Sequence, residues 1–151
     1  MSEVLDVVIV GGGLVGGLTA LLLAQGGVQP TVLDAAPVLD VEKTLSVMNP
    51  RVLALSQATI HLLKTVNVWD DLARQMPYTG MQVWNLNGYG EINFGHESVQ
   101  RPMPEQALGS MVEPSVLNVA IQQKMLEQLT DYRTQVRVTR IEQGVGRSEE
   151  R

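Results

Sequence analysis

Residues 7–17 read VVIVGGGLVGG, and this stretch constrains the fold more than any other part of the chain. Five glycines occupy seven consecutive positions directly after a run of branched apolar residues. Glycine destabilises regular secondary structure, so a glycine cluster beside a strand needs a structural reason. Residues 4–10 predict a short strand with both faces covered, as in a parallel sheet. From Leu14 the apolar residues take helical spacing, and Gly26 and Gly27 predict the end of that helix.

The glycines fit the spacing G-x-G-x-x-G at a strand-to-helix junction. In that pattern Gly11 permits the tight turn, Gly13 lets a pyrophosphate approach the backbone, and Gly16 allows close packing of helix and strand. Residues 31–34 predict a second strand, which completes a βαβ unit over residues 4–34. The sequence therefore predicts an α/β fold with a Rossmann-like dinucleotide-binding unit.

An acidic residue completes the predicted site. Asp34 ends the second strand, with seventeen residues between it and Gly16. A carboxylate in this place can reach the ribose hydroxyls of an adenosine, and its charge would repel a 2′-phosphate, which disfavours NADP. The predicted nucleotide-binding residues are Gly11, Gly12, Gly13, Leu14, Val15, Gly16 and Asp34. Spacing alone does not choose between FAD and NAD.

Composition excludes several other classes of site. The formal net charge is -5 and no basic residue precedes Lys43, which argues against nucleic-acid binding. The chain has no cysteine and only two histidines, His61 and His96, so we expect no metal site. Residues 7–24 are uncharged, but acidic residues precede them and their glycines suit a membrane-spanning helix poorly.

The rest of the chain predicts a series of short elements. Ser56 can cap a helix, and Asn67 suits its left-handed end. Residues 81–85 and 91–94 flank Asn-Gly and Tyr-Gly pairs, which predicts a β-hairpin. The further predicted elements are a short helix with Trp69, Leu72 and Met76 on one side, a helix from Pro114 to Leu129, a strand over 136–141 and a mobile tail over 142–151.

Four segments resemble one known family and occur in its order. They read DVVIVGGGLVGGLTALLLAQGG with TVLD, RVLALSQATIHLLKTVNVWDDL, GMQVWNLNGYGEINFG and MVEPSVLNVAI. On these segments the chain resembles the flavin-dependent aromatic hydroxylases of the para-hydroxybenzoate hydroxylase type, and among them the ubiquinone-biosynthesis hydroxylases. The second segment is the most discriminating, because an arginine-led strand followed by a helix and "VW" is not a general feature of dinucleotide folds.

The resemblance implies a cofactor, a reaction and partners. It implies that FAD lies with its ADP half on the glycine loop and Asp34, and that Arg51 lies near the flavin and its pyrophosphate. NAD(P)H would be the external reductant, O2 a co-substrate, and an aromatic ring, with or without a lipid tail, the substrate. It assigns no catalytic residue to this chain. It implies a cytoplasmic protein that can associate peripherally with the inner membrane or contact other ubiquinone-biosynthesis proteins.

Family members are much longer, and their later Gly-Asp motifs do not occur in this sequence. We therefore expect an incomplete fold, with residues 1–141 as the front part of a monooxygenase that is inactive alone. Residues 1–80 and 108–141 would form the FAD-binding portion, and 81–107 a hairpin at the start of the substrate region. Such a portion would leave sheet edges and apolar faces uncovered, which predicts self-association.

Some residues depart from the family pattern, and other functions stay open. Asp34 stands where the family usually has a longer glutamate, and Pro114 lacks the donor that relatives place near the flavin. Trp84, Tyr89 and Phe94 on the hairpin could border an aromatic substrate, although strand aromatics are more often core. The alternatives are an NAD-dependent dehydrogenase, a flavin oxidase with the same nucleotide fold, or a non-catalytic nucleotide-binding remnant.

Overall fold

The computed structural model describes residues 4–86, 88–95, 107–144 and 147–150. The helices are α1 (Leu14–Gln25), α2 (Val41–Leu45), α3 (Gln57–Thr65) and α4 (Pro114–Gln128). The strands are β1 (Val8–Val10), β2 (Thr31–Asp34), β3 (Leu53–Ser56), β4 (Met76–Tyr78), β5 (Gly80–Trp84), β6 (Glu91–Gly95), β7 (Gly109–Val112), β8 (Asp131–Thr134), β9 (Ile141–Gly144) and β10 (Arg147–Glu150). This is the mixed α/β architecture that the sequence predicts.

The βαβ unit forms a parallel sheet with strand order β1-β2-β8. Val8 of β1 pairs with Thr31 of β2, and Thr31 pairs in turn with Asp131 of β8. The Thr31 hydroxyl donates to the Asp131 carboxylate at 2.7 Å, so a side-chain hydrogen bond reinforces this register. Helix α1 connects β1 to β2, as expected for a crossover between parallel strands.

The strand predicted over 136–141 is wrong. The chain instead pairs with β2 at 131–134, and Gln135 then takes a left-handed conformation with φ 59° that interrupts the extended backbone. The Val136 N–H donates to the Asp34 carbonyl at 2.9 Å, so residue 136 contacts the end of β2 but does not begin a strand. Strands β9 and β10 pair antiparallel, although the sequence predicts only a mobile tail from residue 142.

A second sheet has the antiparallel order β3-β7-β4. Helix α3 follows β3 directly, and its predicted cap is confirmed because Ser56 Oγ accepts from the Thr59 N–H at 3.3 Å. The predicted left-handed end is also confirmed, with Asn67 at φ 57°. The short helix predicted to include Met76 is wrong in extent: a single 3₁₀ turn covers Trp69–Asp71, and Met76 begins β4 opposite Met111.

Helix α4 lies against α1 and closes the core over the glycine end of the parallel sheet. A β-carbon on Gly17 would lie 2.5 Å from Ile121 Cγ2, so the two helices approach as closely as glycine allows. The buried apolar side chains of the common core are Ala20, Leu21, Val32, Leu55, Ile60, Leu63, Val66, Val68, Val112, Leu117, Ala120, Ile121 and Met125. The glycine loop therefore rests on a packed helix pair.

The β5–β6 hairpin differs from both sheets because every residue of its two strands is exposed. Its pairing register places the apolar side chains of Met81, Val83, Ile92 and Phe94 on one face. The other face is mainly polar, and Glu91 there accepts hydrogen bonds from Gln82 and Asn93. Trp84 lies on this second face, opposite Glu91. The three hairpin aromatics therefore do not share one surface.

Candidate nucleotide-binding site

The glycine loop leaves β1 in a turn that only glycine adopts readily. Gly11 has φ 99°, and its N–H donates to the Leu33 carbonyl of β2 at 2.8 Å. A β-carbon on Gly16 would lie 1.9 Å from the Gly11 carbonyl oxygen. This agrees with the close packing that the sequence analysis assigns to Gly16, because no side chain fits between the helix and the loop.

The amino end of α1 is open. Gly13 is its N-cap, no side chain caps the helix, and the first turn contains no acidic residue. The Gly17 N–H donates to the Gly13 carbonyl at 2.7 Å and is the first intrahelical donor, so the N–H groups of residues 14–16 have no acceptor within the helix. A β-carbon on Gly13 would meet no atom within 4 Å, and the Val15 side chain is 82% exposed. Free donors and open space therefore coincide.

Asp34 faces this loop. Its Oδ2 accepts from the Gly12 N–H at 3.0 Å, and its Oδ1 accepts from the Ala36 N–H at 3.0 Å. A β-carbon on Gly12 would lie 2.8 Å from Asp34 Oδ2, so glycine is required for this contact. The structure thus brings together the glycines and the acid that the sequence predicts, across the ends of β1 and β2.

Tyr132 is part of the same site, and sequence reasoning missed it. The same β-carbon on Gly12 would lie 3.2 Å from the Tyr132 hydroxyl, so the tyrosine side chain packs against the loop at Gly12. Gln122 of α4 donates to that hydroxyl at 3.0 Å, and its other amide atom accepts from the Leu39 N–H at 2.6 Å. Burial raises the pKa of Tyr132, and the negative charge of Asp34 acts in the same direction. The hydroxyl therefore stays protonated at neutral pH.

Arg51 lies two residues before β3, and its side chain is exposed. Its N–H donates to Asn49 Oδ1 at 2.9 Å. Among residues 4–86, 88–95 and 107–144, no hydrogen bond or ion pair joins its guanidinium to the glycine loop. The cofactor role of Arg51 therefore stays a prediction, and its side chain is exposed.

A partly buried ion pair at the start of α4 was also missed. Arg74 Nε and Nη2 donate to Glu113 Oε1 and Oε2 at 2.7 and 3.1 Å, and Glu113 is only 6% exposed. The Asn49 N–H donates to Glu113 Oε2 at 2.6 Å. Hydrogen bonding by Arg74 lowers the pKa of Glu113, with a further contribution from the Asn49 N–H, and the same pair raises the pKa of Arg74. Sequence alone gives no signal for a pair 39 residues apart.

Two other kinds of site concern metal binding and membrane insertion. Within the described part of the chain, no group of three or more His, Asp or Glu side chains could hold a metal ion. No helix among those residues combines the length and the apolar character that a bilayer crossing requires. His96 lies outside the described residues.

The geometry of the loop agrees with one protein family. A family model described as an FAD binding domain matches residues 4–146. The chain belongs to the FAD binding domain family. The resemblance to flavin-dependent hydroxylases that the sequence analysis describes is thereby confirmed.

Three curated relatives of this FAD binding domain are named as hydroxylases or monooxygenases of ubiquinone or its precursors. The 3-demethoxyubiquinol 3-hydroxylase of Escherichia coli is 37% identical over 123 residues, covering 80% of this chain and 30% of that protein. A ubiquinone hydroxylase of Rhodospirillum rubrum is 35% identical and covers 80% of this chain and 27% of that protein. The mitochondrial ubiquinone biosynthesis monooxygenase COQ6 of Danio rerio is 32% identical and covers 89% and 29%. The chain spans less than a third of the length of these relatives.

Solved structures share the fold of this FAD binding domain. The p-nitrophenol 4-monooxygenase PnpA of Pseudomonas putida superposes with a TM-score of 0.67 at 22% identity, covering 95% of this chain and 35% of its own. A ternary complex of aklavinone-11 hydroxylase with FAD and aklavinone gives a TM-score of 0.60 at 21% identity, covering 97% and 28%. At these identities the likeness shows the fold.

The residues of this chain fit the nucleotide half of FAD. The loop offers N–H donors and open space in front of Gly13, which suits a diphosphate. Two polar atoms near the start of α4, Ser115 Oγ and Asn118 Oδ1, are buried with no hydrogen-bond partner among the described residues. Since buried polar groups normally have partners, these atoms fit a polar ligand beside a proline that has no donor of its own.

Proposed function

We propose that this chain binds the ADP half of FAD, with the diphosphate at residues 11–16 and the adenosine ribose at Asp34. The observation that carries the proposal is that no side chain caps the amino end of α1 and that a β-carbon on Gly13 would meet no atom within 4 Å. Helix amino ends favour anions through both their free N–H groups and their dipole. Membership of the FAD binding domain family favours FAD over NAD as the nucleotide.

Asp34 can accept from a ribose without leaving the loop. Each of its two oxygens accepts one backbone hydrogen bond in the structure. An ionised carboxylate has about four lone-pair sites, so roughly two remain for hydroxyl donors. Its charge would repel a 2′-phosphate, which supports a nucleotide with a free ribose.

Arg51 would supply positive charge to the diphosphate. Its guanidinium is exposed, whereas Arg74 is already paired with Glu113. A guanidinium gives fixed, always-charged donors that match phosphate oxygens. We further propose the division into an FAD-binding portion (1–80 and 108–141) and a substrate-side hairpin (81–107), which the exposure of β5 and β6 supports.

The whole protein would be an FAD-dependent monooxygenase. The flavin, when bound, supplies the redox chemistry that activates O2 after reduction by NAD(P)H. The residues described here bind and orient its nucleotide end. The names of the curated relatives support a ring hydroxylation in ubiquinone biosynthesis, on a phenol or quinol that carries a lipid tail. Such a substrate would favour peripheral contact with a membrane or with other proteins of the same biosynthesis.

FAD titration with two valine variants tests the nucleotide site. Gly13→Val should weaken FAD binding at least about tenfold, because the added side chain enters the space proposed for the diphosphate. Gly90→Val is the matched control, since a β-carbon on Gly90 also meets nothing within 4 Å but lies on the hairpin. Quenching of flavin fluorescence gives the affinity, and ADP should compete better than its 2′-phosphorylated form. Equal affinities of Gly13→Val and the unaltered chain would contradict the proposed site.

The reaction is tested with a longer protein that contains this chain. Incubation with FAD, NADH or NADPH, O2 and a prenylated quinol should give a product heavier by one oxygen atom in mass spectrometry. Flavin reduction by NAD(P)H without any oxygenated product would instead support the flavin oxidase.

A further inference from the structure

We propose that the Arg74–Glu113 ion pair acts through Asn49 as a positioning device that sets Arg51 for the cofactor diphosphate. This inference rests on the proposed function, because it assigns a purpose to the placement of Arg51. Arg74, Glu113 and Asn49 would not touch the nucleotide themselves; we call this series of contacts, which ends at Arg51, the relay. They would act only by fixing the segment from which Arg51 projects.

Both side chains of the Arg74–Glu113 pair make hydrogen bonds to the backbone of residues 45–49. Arg74 Nη1 donates to the Leu45 carbonyl at 2.8 Å and Nη2 to the Val47 carbonyl at 3.4 Å. Glu113 Oε2 accepts the Asn49 N–H at 2.6 Å. Two side chains therefore bind three alternate residues, Leu45 at the end of α2 and Val47 and Asn49 in the segment between α2 and β3.

Asn49 passes this restraint to Arg51. Its N–H is bound by Glu113, while its side-chain Oδ1 accepts the Arg51 N–H at 2.9 Å across Pro50. Such a side-chain-to-backbone contact two residues on is an Asx turn, which fixes the local chain direction. The backbone position of Arg51 thus depends on Asn49, and that of Asn49 depends on Glu113.

The two arginines differ in whether their charge is already paired. Glu113 is 6% exposed and neutralised by Arg74, so neither of them offers net charge to a ligand. Arg51 is exposed and no ion pair consumes its charge among the described residues. The arrangement keeps one arginine as an internal support and presents the other one to an anion.

A double-variant comparison tests the relay by FAD affinity. Arg51→Ala and Asn49→Ala should each weaken FAD binding about tenfold, the size of one lost hydrogen bond to a charged group. Because Asn49 acts only through Arg51, the double variant should bind no more weakly than Arg51→Ala alone. Glu127→Gln on the exposed face of α4 is the control for Glu113→Gln and should bind normally. If the two single-variant losses of FAD affinity multiply in the double variant, the inferred relay is wrong.

Amide hydrogen exchange provides a readout that needs no nucleotide. Glu113→Gln should accelerate exchange of the backbone amides of residues 47–49 and of Arg51 while leaving those of α1 unchanged. Uniform acceleration over the chain would indicate a general structural role and would overturn the inference. Normal FAD binding by Gly13→Val would overturn the proposed function itself. Multiplied losses with Gly13→Val still impaired would overturn only this inference.

Discussion

The glycine-loop region and the β5–β6 hairpin form regular structure by different means. Leu21 of α1 is 0% exposed and lies in a core shared with α4 and β2. The hairpin has a regular antiparallel register, yet all of its strand residues are exposed. A regular hydrogen-bonded backbone and a packed side-chain core are therefore separate properties of this chain. The free energy of folding of the described residues should therefore come mainly from the packed core and not from the hairpin.

A pair of leucine truncations tests this difference and should give the largest effect. Leu21→Ala removes a fully buried side chain and should destabilise the chain by about 2–5 kcal/mol. Leu86→Ala makes the same change in the hairpin turn, where Leu86 is 89% exposed, and should shift stability by less than about 0.5 kcal/mol. Urea unfolding monitored by circular dichroism measures both. Similar losses would show that the hairpin shares the core.

A pair of glycine substitutions sharpens the comparison at the backbone level. Gly16→Ala would place a methyl group 1.9 Å from the Gly11 carbonyl oxygen and should cost about 1–3 kcal/mol as helix and loop move apart. Gly90→Ala meets nothing within 4 Å and should cost well under about 1 kcal/mol. The same unfolding experiment applies. Retained stability in Gly16→Ala would contradict the close approach of α1 to the loop.

The Arg74–Glu113 ion pair predicts an acid dependence of stability in the packed region. Since the folded-state pKa of Glu113 is lowered, chiefly by Arg74, its contribution to stability is complete above the ordinary glutamate pKa of 4.5. That contribution falls as the pH drops through the lowered value. Asp131 changes in the same direction because Arg133 lowers its pKa, so the unaltered chain also loses stability there. Unfolding curves from pH 7 to 3 should show a smaller acid loss in Glu113→Gln than in the unaltered chain.

The apolar face of the hairpin should affect association more than stability. The double change Val83→Ser with Ile92→Ser should alter the free energy of unfolding by less than about 0.5 kcal/mol, because both residues are exposed, Val83 by 48% and Ile92 by 56%. It should reduce self-association, which sedimentation velocity measures. Gln82→Ser with Asn93→Ser on the opposite face is the control. Equal self-association in both double variants would exclude this face as the contact.

The elements that the sequence predicts correctly are those with local signals. Ser56 caps α3 three residues away, Asn67 ends it in the left-handed region, and the β5–β6 hairpin forms around its own turn. Each outcome depends on residues within about one turn or one hairpin. The contact of Asp34 with Gly12 also follows from a motif whose spacing fixes the geometry.

The missed features depend on contacts that spacing does not encode. The alternating residues 136–141 have the pattern of a strand, but the register with β2 is set by Thr31 and Asp131, a hundred residues apart. The Arg74–Glu113 pair and the contact of Gln122 with Tyr132 likewise need the tertiary fold before they exist. A single sequence shows each of these residues only as a polar position.

The bond between Asp34 and Gly12 has a kinetic consequence. The Asp34 carboxylate accepts from the Gly12 N–H, and the Leu33 carbonyl accepts from the Gly11 N–H. Because of these two hydrogen bonds, the shape of the loop is set during folding, before a nucleotide binds. Little entropy would then be lost in ordering the loop at encounter. Capture of a dinucleotide should proceed in a single concentration-proportional phase, without the plateau that a slow preceding rearrangement would impose.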